Sequence, residues 1–490
     1  MSHSTSTAAA DTPRRAVRTD TDPLAGLRDF LDTLGMRDKK GPEAFAEFER
    51  DLHARLMQVE RDVVAAEMAK LDVDADAVVI AGKVHRRVLR QSQTYLTAAG
   101  EVVVERTLYK DRTDGGGRCV SPMELTLGVV GDFWTPRAAQ QALWVVTQMT
   151  PAKAAELFDR LGGMDPSKTS LDQLPKRVGA RWEADRERLE GALRQGLVVP
   201  EEAVSITVSL DGVLAPMEGT DVTGARAEAA ADGRTASGPL GYREVGCATV
   251  GFCDAQGELL AAVRFARAPE ANKASLKKAL AAEVTATLRA RPALRLTKIA
   301  DAAADNWTFL RDELPAGVEA IDFYHAAEYL HAAVAAAYGE GTRETTFRYE
   351  QLRDVLRDED GGVERVIRAL NYLVTKHPQR RAIRKARNFF RKHRARMQYA
   401  ALRAEGRMIG SGVVEAACKT LVTQRLKHSG MRWSAGGAQA ILTPRGWDQS
   451  ERFDEAWALV AALFHAEVTV LANVIALKPK SEARQSRTSR

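Results

Sequence analysis

A chain of 490 residues is too long for one ordinary core, so two to four domains are expected. With 45% hydrophobic and 28% charged residues it reads as soluble and globular, and no run of about 18 apolar residues is present to span a membrane. The formal charge is only +6, so the placement of charge matters more than its total.

The N-terminus lacks an apolar signal core, so no export is expected. Cys119, Cys247, Cys253 and Cys418 lie far apart without a Cys-x-x-Cys pair. That fits a reducing cytoplasm and argues against a zinc ribbon or a disulfide framework.

Residues 1–23 are rich in Ser, Thr, Ala and Asp and are expected to be disordered. From Leu27 to Lys70, Phe30, Leu31, Leu34, Phe45, Phe48, Leu52, Leu56 and Val59 recur at three and four, which predicts helix. Residues 94–109 predict a β-hairpin with an Ala-Gly turn, and a glycine-rich loop, 114–119, follows it. Helices are predicted over 137–149, over 151–161 and from Ser167 onward, the second closed by Gly162-Gly163. Helix, glycine turn and capped helix ending in Lys176-Arg177 resembles a helix-turn-helix; a plain helical bundle shows the same pattern.

Residues 203–213 are apolar and β-branched and predict a buried strand ending at Asp211-Gly212. Runs at 244–253 and 259–265 predict a hairpin, 271–288 a helix, 294–301 a strand, 306–310 the start of a helix, 318–322 a strand and 323–337 a helix. This order predicts an α/β protein with a mixed sheet flanked by helices. Residues 340–400 lack strand signals and read as helical, as do 413–427, 435–442 and 451–474. The basic tail from Lys478 is expected to be disordered.

Asp211 and Asp301 close strand-like runs, and Glu415 follows the Gly410-Ser-Gly turn into a helix. Two-metal phosphoryl transfer needs about three converging carboxylates, and hard divalent ions accept oxygen ligands alone. For any one Asp, a turn or cap role is the simpler reading; the three together carry the argument.

Ser209-Leu-Asp211-Gly, Ile299-Ala-Asp301-Ala-Ala-Ala-Asp-Asn-Trp307, Ile321-Asp-Phe-Tyr-His325-Ala, Ile409-Gly-Ser-Gly-Val-Val-Glu415-Ala-Ala-Cys-Lys419 and Gln424-Arg-Leu-Lys-His-Ser-Gly-Met-Arg-Trp433 form an ordered set. Over roughly 200–445 this set resembles the DDE transposases of bacterial insertion sequences, closest to the ISKra type related to Mutator-like elements. The resemblance implies an RNase H-like catalytic domain with a helical insertion before the Glu. It implies Asp211, Asp301 and Glu415 as the triad, holding two Mg²⁺ ions for which Mn²⁺ could substitute. It also implies cleavage of terminal inverted repeats, strand transfer to target DNA, a homodimer or higher assembly on paired ends, and a bacterial cytoplasmic, nucleoid-associated protein. Asp322 and His325 match a further motif of the family, which places His325 near the scissile phosphate or a flipped base. The alternative is that Asp322 caps the following helix and His325 packs its first turn. The chain departs from the family at Ala302, where relatives carry Gly. It departs again at 109–122, where one Cys119 replaces a cysteine-rich ribbon and puts a structural zinc in question.

Residues 377–396 hold no acid. Ile383, Ala386, Phe390 and Met397 keep a helical apolar seam, while Arg380, Arg381, Arg384, Lys385, Arg387, Arg391, Lys392, Arg394 and Arg396 surround it. Without Glu partners, phosphate contact explains these cations better than a solvated face. Lys419, Arg425 and Lys427 could clamp a cleaved strand, although Lys419 could instead pair with Glu415. Trp433 and Trp307 could stack on bases, with core packing the commoner role.

The expected organisation is a disordered 1–24, a helical region with a β-hairpin (25–115), a helix-turn-helix-like DNA-binding region (116–198), a catalytic domain (199–338 and 401–475), a basic helical insertion (339–400) and a basic tail (476–490). The expected activity is Mg²⁺-dependent DNA transposition. Two alternatives are a domesticated or inactive relative that only binds DNA, and a structure-selective nuclease with the same core.

Overall fold

A computed structural model describes residues 22–33, 41–111, 117–218 and 241–471. The disorder expected for nearly all of 1–24 and for the basic tail, the first half of the 114–119 loop, and residues 219–240 lie outside the described residues. The chain divides into two compact units, Met1–Gln141 with Ala155–Ser167 and Ala461–Arg490, and Ala142–Ala154 with Lys168–Val460.

The first unit opens with α1 (Ala25–Thr33) and the 29-residue α2 (Pro42–Lys70), where Phe30 stacks on Phe48 with ring centroids 6.0 Å apart. Strands β1 (Ala77–Ile80), β2 (Lys83–Thr97) and β3 (Gly100–Asp111) form an antiparallel meander. The β2–β3 hairpin closes with Thr97 opposite Gly100, so its turn is Ala98-Ala99 and not the expected Ala-Gly. Helix α3 (Pro122–Leu127) follows, and Met123 joins Ala65, Met68, Tyr95, Val102 and Val104 in one apolar cluster. Inside it Tyr95 donates to Glu124 at 2.8 Å and Arg106 pairs with the same carboxylate, so these buried polar groups have partners.

Helices α4 (Pro136–Gln148) and α5 (Pro151–Leu161), the glycine turn, and α6 (Lys168–Ala184) match their predicted places. Helix α7 (Arg186–Gln195) completes the run.

The second unit is built on a five-stranded mixed sheet of β4 (Ser205–Pro216), β5 (Tyr242–Cys253), β6 (Leu259–Arg267), β7 (Arg295–Ala300) and β8 (Val318–Ile321), in the order β6-β5-β4-β7-β8. The β4–β5 and β5–β6 pairs are antiparallel, and the β4–β7 and β7–β8 pairs are parallel. Parallel neighbours need crossovers, supplied here by α8 (Ala274–Ala290) and α9 (Ala304–Asp312). Leu276, Leu280 and Val284 of α8 and Trp307, Phe309 and Leu310 of α9 enter the main core with Ile206, Val208 and Leu210 of β4.

The expectation that β4 ends at Asp211 is corrected. The strand runs on to Pro216, with Asp211 opposite Cys247 and Pro216 opposite Tyr242. Only the parallel partner β7 stops here.

Helix α10 (Phe323–Tyr338) leads into α11 (Arg343–Asp358), α12 (Gly362–Lys376), α13 (Arg381–His393) and α14 (Tyr399–Ala404). Ile383, Ala386, Phe389 and Phe390 of α13 join the main core, as the apolar seam predicted, and Met397 is buried with them. Helix α15 (Gly412–Ala417) continues through a π-helical turn, Cys418–Thr423, into Gln424–Leu426. Helices α16 (Ala435–Gln449) and α17 (Phe453–Ala461) follow. The helix expected to run to residue 474 ends early: Val468–Val470 form a short strand, β9, antiparallel to β1 in the first unit.

Candidate functional site

Alternation along β4 decides where Asp211 points. The odd positions Val213 and Ala215 pack with Val414, Ala417 and Cys418. Asp211 shares their parity, so it lies on the sheet face that carries α15. Strands β4 and β7 run in register, and their last pair is Ser209 with Ile299. Asp211 and Asp301 each lie two residues beyond that pair, at equivalent positions on neighbouring strands.

Asp211 Oδ1 accepts the Gly212 amide at 2.7 Å. Asp301 Oδ1 accepts the Ala303 amide at 3.1 Å and Asn306 Nδ2 at 3.3 Å, which fixes the turn into α9. Burial pushes the Asp211 carboxyl above its usual range, the Gly212 amide opposes that, and the Asp301 charge adds to it. Among the described residues neither Asp211 nor Asp301 has an ion-pair partner.

Two further residues stand beside Asp211 that sequence reading did not single out. Glu244 on β5 raises the Asp211 pKa and Lys273 lowers it, and they pair with each other at 3.0 Å. Asn272 and Lys273 both adopt left-handed backbone, with φ of 53° and 54°, a costly conformation for non-glycine residues. At Gly212 a Cβ would meet the Glu244 side chain, so a larger residue there would have to push that carboxylate aside. The signal was weak because Glu244 reaches Gly212 only through a cross-strand register that the sequence does not state.

Glu415 lies on the first turn of α15, is exposed, and accepts from Ser411 Oγ at 2.9 Å. Ser411 Oγ also contacts Asp322 Oδ2, and the Ser411 amide donates to the same oxygen at 2.9 Å. One hydroxyl proton cannot serve two carboxylates at once. Burial raises the pKa of Asp322, the amides of His325 and Ser411 oppose that, and the Glu415 charge adds to it.

Asp322 is 2% exposed and caps α10: its Oδ1 accepts the Tyr324 amide at 2.5 Å and the His325 amide at 3.1 Å. His325 packs in an aromatic group, with ring centroids 5.3 Å from Tyr329 and 5.9 Å from Phe389. These are the features of the capping alternative.

The donor set Asp211, Asp301 and Glu415 is oxygen only, which suits a hard divalent cation. The Asp211–Asp301 pair fits such an ion: both are half-buried, the Asp301 charge acts on Asp211, and the nearby Lys273 is engaged by Glu244. Glu415 is engaged elsewhere, and among the described residues no three of His, Cys, Asp and Glu are grouped so as to hold a metal ion.

On the basic helix, Arg380, Arg381, Arg384, Lys385, Arg391, Lys392 and Arg394 are exposed and Arg387 is half-buried. None of the eight has an ion-pair partner among the described residues. Arg396 departs from the row: it pairs with Glu319 at 2.6 Å and lies 4.1 Å over the Trp307 ring. Trp307 itself is buried.

Lys419 and Lys427 are exposed, but Arg425 corrects the expectation of a DNA clamp. It is 1% exposed, and its guanidinium donates to the Val146 carbonyl at 3.2 and 3.3 Å. Trp433 is half-buried, donates to the Leu426 carbonyl at 3.1 Å, and lies 5.3 Å from the Arg425 guanidinium.

No family model matches the chain, and no curated protein matches it. Among solved structures the chain is similar to the Drosophila P element transposase strand transfer complex, at 11% identity and a TM-score of 0.32, covering 71% of this chain and 94% of that one. A likeness at that level leaves the assignment to the residues themselves.

Proposed function

We propose that the chain is a DDE-type DNA transposase, with a catalytic unit built on an RNase H-like sheet. The observation that carries this reading is the pair Asp211 and Asp301, each two residues beyond the last in-register pair of adjacent parallel strands. They are close enough for the Asp301 charge to raise the Asp211 pKa, and neither is held in an ion pair among the described residues. The sheet order and strand directions support the RNase H-like description, and the unpaired cations of α13 support a nucleic-acid partner.

Asp211 and Asp301 would hold Mg²⁺ or Mn²⁺, with Glu415 completing the set on release from Ser411. When bound, the ion supplies charge neutralisation at a phosphate and a more acidic water. The protein's own part is to keep the carboxylates fixed, to bind backbone phosphates through α13, and to leave Lys419 and Lys427 facing solvent beside the site. The DNA acted on would be the terminal inverted repeats and the target, with two or more copies on paired ends.

A second reading is a relative that binds DNA without cutting it. The engagement of Glu415 by Ser411 favours it. One experiment separates the two. With labelled transposon ends and Mg²⁺, the wild-type chain should cut and Asp211→Asn should not, while both bind DNA alike. Equal cutting by both proteins removes Asp211 from the chemistry, and binding without cutting by the wild type selects the second reading.

A further inference from the structure

The first turn of α10 carries one large side chain that is mostly open to solvent. Tyr324 is 60% exposed, although it sits between the buried Phe323 and the half-buried His325. Its backbone is held by the bond from its amide to Asp322, and the adjacent Phe323 amide donates to Ile409 at 3.0 Å. Its ring lies against Gly410: a Cβ there would stand 2.8 Å from Cε2 and 3.1 Å from Cδ2. Phe323 meets it edge-on at 5.7 Å. A large aromatic ring is therefore set on a glycine, fixed at its base and open to solvent.

The surroundings limit what can cover it. Gly410 is followed directly by Ser411, whose hydroxyl contacts both Asp322 and Glu415. The same helix, five residues on and on another face, presents Tyr329 to Phe389 of the basic helix α13. An open aromatic face beside carboxylates and on a scaffold tied to a phosphate-binding helix matches the chemistry of an unpaired nucleobase: a π-face for the base and cations for its backbone.

We propose that Tyr324 is a positioning residue that stacks an unpaired base of the nucleic acid next to the Asp322–Ser411–Glu415 cluster. The proposal rests on the nucleic-acid reading above and adds a requirement for single-stranded character at that point.

The test needs no catalysis. The full chain is titrated in EDTA with a short single strand and with a blunt duplex of the same sequence, the strand carrying 2-aminopurine at successive positions. Tyr324→Ala should weaken single-strand binding about 5- to 150-fold, the range expected for loss of one stacked base, and leave the duplex unchanged. Tyr324→Phe and Tyr324→Trp should retain binding, and quenching of 2-aminopurine should be present in these and absent in Tyr324→Ala. Gly410→Ala, which displaces the ring without removing it, should shift the quenched position or abolish quenching. Unchanged single-strand affinity in a Tyr324→Ala protein with wild-type melting overturns the stacking role. So does a Tyr324→Phe loss as large as that of Tyr324→Ala, since the hydroxyl would then be the active part. Failure of the wild type to bind either DNA instead overturns the nucleic-acid reading itself.

Discussion

Phe389 of α13 lies flat on Tyr329 of α10, with ring centroids 4.0 Å apart and planes 5° from parallel. Lys385 stands 4.9 Å from the centre of the same Tyr329 ring. The basic helix is therefore fastened by aromatic stacking to the helix that Asp322 caps. Phe389 is buried, so Phe389→Ala should cost about 3–5 kcal/mol. Urea unfolding should show that destabilisation, with a smaller one for Phe389→Leu; an unchanged midpoint would mean that α13 is held by other side chains.

Neutralising Arg384, Lys385, Arg391 and Lys392 together should weaken binding to every DNA sequence. The plot of log affinity against log salt should flatten by about 0.9 for each phosphate that is no longer neutralised. Weakening confined to one sequence would show that α13 reads bases.

Arg425 separates stability from binding. Burial pushes its guanidinium down to about 10, and its partner is a backbone carbonyl of residue 146. Arg425→Ala leaves that carbonyl unsatisfied and a cavity behind, so a loss of at least about 1–3 kcal/mol in unfolding is expected. The folded variant should bind DNA as the wild type does. A selective loss of DNA affinity at unchanged stability would restore Arg425 to the interface.

His393 gives the second unit an acid-sensitive point. Burial holds its imidazole below the usual range, and the charges of Lys392, Arg396 and His325 act in the same direction. Its folded pKa is depressed, so its contribution is present above the ordinary value of about 6.5 and is lost as pH falls through the folded value. Melting temperature should drop between neutral and mildly acid pH, and His393→Leu should flatten that drop. An identical pH profile in the variant would exclude His393.

Much of the second unit was legible because its signals are local. The β, β-β, α, β, α, β order follows from β-branched runs and helical spacing, and the acid-free seam of α13 marked both its buried and its exposed faces. What failed was non-local. β9 pairs with β1, nearly the whole chain away, so Val468–Val470 read as the end of a helix. Arg425 was grouped with Lys419 and Lys427 as a cation projecting from the Glu415 helix, but its partner is the carbonyl of Val146, 279 residues earlier in the chain, and the guanidinium lies buried against it. Glu244 and Lys273 gained meaning only from a cross-strand neighbour and a left-handed backbone, neither of which is written in residue order.

The continuation of β4 past Asp211 has a mechanical consequence. Asp211 is paired to β5 at its own position and on to Pro216, so its backbone is held within a continuous ladder. Asp301 is the first residue beyond β7, and Glu415 rides on a six-residue helix that gives way to a π turn. Any adjustment of the spacing among the three carboxylates must then be made by the second and third. In the proposed triad Asp211 is thus the member held by a strand ladder, and the other two are the ones free to close on a substrate.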